Sequence, residues 1–159
     1  MKRLPSTAAS LEFHLEPWEG VMLAAVLSQY PCLPPAHQPL SRNGQGPDTL
    51  ADQRLLDEAL ADQRRDNQRQ LTRLLADTTR FRQSDKGWRL SLAPGDAEWV
   101  LQILNDIRVG SWAKLGSPDD LDELRGDQRN PDVGLMETAG YFQMRLLAGL
   151  RTPPDHPKR

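Results

Sequence analysis

The sequence predicts a mainly α fold: a compact helical domain with a minor two-stranded antiparallel β element. Three observations predict it. Four long stretches carry apolar residues at helical spacing between proline and glycine punctuation. Two shorter stretches alternate strictly, and each runs into a proline that opens a helix. The length, 159 residues, is that of one domain with room for one sizeable core.

The alternating stretches form a weak internal repeat. Residues 11–27 read LEFHLEPWEGVMLAAVL and residues 88–104 read WRLSLAPGDAEWVLQIL. Superposing Pro17 on Pro94 places Leu11, Phe13 and Leu15 on Trp88, Leu90 and Leu92. Two residues after each proline comes an acid, Glu19 or Asp96, suited to the positive end of a helix. The reading is two strand–proline–helix units whose strands pair, with helices packed on the ribbon they form.

The helices follow in order. The first spans about 17–30 and is apolar around its circumference, which predicts a central, buried position. The second spans about 48–78. At 1.5 Å per residue it is ~45 Å long, so it must span the molecule, protrude from it or break. Its leucines sit at the two ends, from Leu50 to Leu60 and from Leu71 to Leu75, so the polar centre from Gln63 to Gln70 is expected outside the core. The third runs about 96–115 and the fourth 131–150, with a stripe of Leu135, Ala139, Phe142, Leu146 and Leu150. Residues 31–47 hold five prolines and two glycines and read as a loop; 151–159 read as a frayed tail. A short helix capped by Ser117 is expected between the third and fourth helices.

Composition excludes several classes. Twenty basic and 22 acidic residues give a net charge of −2, against a globally basic nucleic-acid binder. One cysteine excludes an internal disulfide. The longest unbroken apolar run, Val21 to Leu27, is too short for a membrane span, and no signal peptide is apparent, so the expected location is cytoplasmic with no membrane contact. Phosphate-loop and nucleophile-elbow patterns are missing, and the three histidines lie in separate segments. No catalytic residue, metal site or cofactor is therefore predicted.

The candidate site residues carry charge rather than catalytic motifs. Arg108 falls inside the apolar arc of the third helix, between Leu104 and Leu115 in angle. Two readings stay open. Either it is buried against a carboxylate, with Glu19 first choice and Asp57 and Glu58 next, or it reaches solvent from the helix edge. Arg65, Arg69 and Arg73 lie four apart on the second helix and form a basic stripe, with Asn67 interrupting the leucine seam. That stripe is either solvated surface or a partner surface. Its partner would be a second copy, offering the acidic segment 119–132 with Asn67 setting register, or nucleic-acid phosphates. Cys32 lies between Pro31 and Leu33 without a flanking base; it reads as an inert thiol, with redox sensing as the other option.

The run EWVLQILNDIRVGSWAKLG after the strand WRLSL resembles a bacterial helical family, a domain of unknown function whose genes often lie near that of the ClpS proteolytic adaptor. Leu104-Asn105-Asp106-Ile107-Arg108 and the aromatic pair Tyr141-Phe142 bear the likeness. The resemblance implies a helical fold without known catalysis and a regulatory role linked to proteolysis. The leading expectation is thus a non-enzymatic regulatory or protein-interaction domain acting on a protein partner, with a second copy as one candidate. The alternative is a DNA-binding regulator that uses the arginine-rich helix.

Overall fold

A computed structural model describes residues 1–5, 10–32, 47–119 and 130–151. Strands β1 (Lys2–Arg3) and β2 (Leu11–Leu15) lead into helix α1 (Pro17–Leu27). Helix α2 (Pro47–Ala76) precedes the hairpin β3 (Phe81–Ser84) and β4 (Gly87–Leu92), then α3 (Pro94–Lys114) and α4 (Pro131–Arg151). Most of the proline-rich loop, the expected short helix and acidic stretch after Asp119, and the tail beyond Arg151 lie outside the described residues.

The two alternating segments do pair. β2 and β4 run antiparallel, with Leu11 opposite Leu92, Phe13 opposite Leu90 and Leu15 opposite Trp88. Period-two alternation puts all these apolar side chains on one face, and helices cover it. Each strand then hands over to a helix through one residue and a proline, Glu16-Pro17 and Ala93-Pro94, as the repeat predicts.

The sheet has four strands, not two, in the order β1-β2-β4-β3 and antiparallel throughout. Both additional strands lack the pattern that reveals a strand. β1 is two basic residues, and β3 buries only Phe81, the other three side chains being exposed. A visible trace of β3 is its turn, where Asp85-Lys86 leads into Gly87 at φ +136°. There a Cβ would meet the Leu15 carbonyl of the neighbouring strand, so glycine is required by both space and dihedral angle. Phe81 stacks on Trp88 with ring centroids 4.7 Å apart, which closes that edge of the core.

Helix α3 packs most extensively on α4, and α1 crosses β4 and touches both. Phe13, Leu15, Ile103, Ile107, Phe142 and Leu146 are fully enclosed in the centre. Two glycines permit close approach: a Cβ on Gly20 would overlap the Trp88 ring, and one on Gly149 would overlap Phe13. β1 is tied to α4 by Arg3, whose Nη1 donates to the Gly149 carbonyl at 2.8 Å, satisfying a carbonyl in the last helical turns.

α2 is one unbroken helix, so of the three outcomes its length allows, breaking is not the one taken. Its carboxyl end enters the core through Leu71 and Leu74, while Leu55 is 65 % exposed near the other end. The polar centre from Gln63 to Gln70 lies outside the core, as expected, and none of its residues is fully buried. Arg64 and Asn67 are half-buried against α3, and Trp99 Nε1 donates to Asn67 Oδ1 at 3.0 Å. A polar stretch can dock where its hydrogen bonds are met, without apolar burial.

Candidate functional site

Among the described residues the carboxylate of Glu19 is the most enclosed charged side chain, 1 % exposed at the start of α1. Its Oε2 accepts from the Glu16 amide at 2.8 Å, the closing half of a capping box. Its Oε1 accepts from the Tyr141 hydroxyl at 2.5 Å and from the Met1 ammonium, itself buried. Burial pushes this carboxyl up, but the bonds from the ammonium, Tyr141 and Glu16 outweigh it and hold the group below its ordinary value.

This corrects the expected pairing of Arg108 with Glu19. Glu19 is indeed a buried half of an ion pair, but its cation is the Met1 ammonium. Arg108 is exposed; its Cδ and Nε run over Gly140 of α4, within 4 Å of where a Cβ there would sit. The absence of a side chain at Gly140 lets the arginine stem lie flat and its head reach water, so no carboxylate is needed. Arg108→Met is therefore expected to change stability by no more than ~0.5 kcal/mol in urea denaturation, in line with an exposed position.

The basic stripe is present but largely neutralised from within. Arg65, Arg69 and Arg73 are exposed on α2. Arg65 pairs with Asp62 and Arg69 with Asp66, one turn back in each case. Exposed pairs of this kind contribute little to stability, yet they lower the field that would attract phosphates. Asn67 does not belong to that surface. Its Nδ2 donates to the Tyr30 hydroxyl at 3.1 Å while its Oδ1 accepts from Trp99, so both ends of the amide are used inside the chain. It therefore cannot set the register of a dimer, which corrects that expectation.

Cys32 sits half-buried just past α1, its Sγ 3.5 Å from the Gln29 carbonyl. Burial pushes the thiol up, and Lys114 and Ser111 offset this only in part. A protonated thiol is a poor nucleophile at neutral pH, which favours the inert reading over redox sensing.

Two surfaces were not anticipated. The first is the outer side of α1. Trp18, Val21 and Met22 are 55 %, 59 % and 39 % exposed, although an apolar circumference predicted a buried helix. The reason is position: α1 lies on the sheet and against α3 and α4, and eleven residues at the edge of the fold are covered on one side only. A groove of about 440 Å³ continues this face between α1 and α4, past Met22, Ala25 and Leu135. Trp18 meets Tyr141 at 5.7 Å between ring centroids, joining the two helices at the other end. No charged side chain of α1 points outward, since its one ionisable residue is the buried Glu19.

The second is a cleft of about 370 Å³ between α2 and α3, closed at one end by Tyr30, Pro31 and Cys32. Arg64 and Asp106 line it from opposite helices. Asp106 lies on the polar side of α3, whereas Arg64 falls on the same face of α2 as Leu60, Asn67 and Leu71, and only the fold shows that the two line one cavity.

No family model matches the chain, and no curated protein or solved structure does. The resemblance to the ClpS-neighbour family therefore rests on its own residues. Among the described residues no helix is long and apolar enough to cross a membrane.

Proposed function

We propose that the chain is a non-enzymatic protein-interaction domain whose partner is a second copy of itself, docked through the outer face of α1. The carrying observation is the apolar, charge-free stripe of Trp18, Val21 and Met22 beside the α1–α4 groove. In a chain with 26 % charged residues, an uncharged helix face bordered by a groove whose Lys114 and Asp132 neutralise each other is suited to a protein contact and unsuited to phosphates. Positions 18, 21, 22 and 25 follow the i, i+3, i+4, i+7 spacing of one helix face. Such a stripe is complementary to its own copy across a twofold axis, which is the requirement for an isologous dimer. Trp18 is the natural anchor, being large, rigid and poorly satisfied in water. The likeness of residues 104–108 to a family encoded near a proteolytic adaptor supports a regulatory setting for this assembly. The internal pairing of Arg65 and Arg69 disfavours the DNA-binding alternative.

The test is oligomeric mass. Sedimentation at about 50 μM should give a dimer for the unaltered chain and a monomer for Val21→Glu with Met22→Glu. Both side chains are solvent-exposed in the monomer, so the variant should keep the helical circular dichroism and melting point of the monomeric form. A monomer for the unaltered chain at that concentration overturns the proposal.

A further inference from the structure

The α2–α3 cleft holds an unmet electrostatic demand. Arg64 reaches into it from α2, and its Nη1 is enclosed without a hydrogen-bond partner among the described residues. A guanidinium is almost always fully bonded when shielded from water, and the acceptor it fits best is a carboxylate, held by two parallel bonds. Asp106 lines the same cleft from α3. The two groups form no ion pair, although each feels the other's charge. Burial pushes the Asp106 carboxyl up and Arg64 pulls it back. Cation and anion thus share one cavity without neutralising each other by contact.

The rest of the lining matches this reading. Gln63, Gln102 and Asn105 bring side-chain amides that can donate or accept. Leu60 and Val109 give an apolar patch beside them. The Trp99–Asn67–Tyr30 hydrogen bonds fix one wall, and Tyr30 is buried, so the cavity is held open rather than free to collapse. Its volume lies at the small end of the range for small-molecule sites.

We propose that this cleft binds a small zwitterion of the α-amino-acid class, with its carboxylate on Arg64, its ammonium on Asp106 and its side chain against Leu60 and Val109. One molecule then supplies the acceptor that Arg64 lacks and a donor for Asp106, in a site of complementary charge. The cleft shares no residue with the α1 stripe or its groove, so this inference stands apart from the dimer reading. Because α2 meets the body mainly at its carboxyl end and along this cleft, occupancy would clamp the helix, giving the domain a metabolite-sensing element.

Thermal shift and calorimetric titration with the twenty amino acids, each at about 10 mM, test it. At least one should raise the melting point and titrate saturably. For that amino acid, the analogue lacking the ammonium and the analogue lacking the carboxylate should each bind at least tenfold more weakly. Arg64→Met should abolish binding with the unliganded melting point kept or raised, because an unsatisfied group has been removed. Arg64→Lys, which keeps the charge but not the paired donors, should weaken binding at least tenfold, as should Asp106→Asn; these two decide the matter if Arg64→Met folds poorly. No response to any amino acid, unchanged affinity in folded Arg64→Lys, or equal binding of the analogue without an ammonium overturns the proposal.

Discussion

Glu19→Gln should destabilise the protein by about 3–5 kcal/mol, a large share of the 5–15 kcal/mol that separates a typical folded domain from its unfolded chain. The cost does not come from the lost attraction alone. The Met1 ammonium is buried beside Glu19, and the amide would leave that charge enclosed without its counterion. Tyr141→Phe removes one donor and leaves the ion pair, so its cost should be smaller, ~1.5–3 kcal/mol. Urea denaturation of the three chains at pH 7 checks the order. The pH dependence is a second signature. Glu19 titrates below its ordinary 4.5 in the folded chain. Its contribution is therefore complete above that value, and falls away as acid protonates the folded group. The gap between the unaltered chain and Glu19→Gln should narrow as the pH falls below 4.5 and the folded carboxylate takes up its proton. A gap independent of pH down to 3 would mean that the carboxylate is not charged in the fold. Acetylating the Met1 amine attacks the pair from the other side and should destabilise comparably.

Gly20→Ala should cost about 1–3 kcal/mol, against the intrinsic helix preference, which favours alanine by ~1 kcal/mol. A Cβ at this position would overlap the Trp88 indole, and the ring is held in place by its stack on Phe81. Either α1 lifts from the sheet or Trp88 abandons Phe81. Combining Gly20→Ala with Trp88→Leu separates this account from a general helix effect. In the double variant, the alanine should cost much less than it does alone, a coupling expected of residues in contact. Strict additivity in denaturation measurements would place the cost somewhere other than the α1–β4 contact.

The repeated strand–proline–helix units and the four main helices were legible because their determinants are local. Alternation in Leu11–Leu15 and Gly87–Leu92 can be read from five or six residues, and so can a proline that starts a helix. The extent of α2 followed from a stretch, residues 48–78, that holds no proline or glycine. β1 and β3 escaped because an edge strand needs only one partner, not a pattern: two basic residues suffice once β2 offers a free edge. The buried acid Glu19 was anticipated as half of an ion pair, yet its partner is the Met1 ammonium and not an arginine. A chain terminus has no side-chain signature, and only the fold brings Met1 to α1.

The sequence by itself determined the four main helices and the two alternating strands, where prolines divide them, and which faces are apolar. Tertiary structure alone decided which of those faces meet. It covered one side of α1 and left Trp18, Val21 and Met22 outside, since burial depends on neighbours and not on periodicity. It sent Arg108 over Gly140 to solvent, turned Asn67 inward to Tyr30 and Trp99, and set Arg64 facing Asp106 across a cavity. Each of these depends on distances between elements far apart in the chain, and electrostatic and hydrogen-bond energies depend on those distances and on the exclusion of water between the groups.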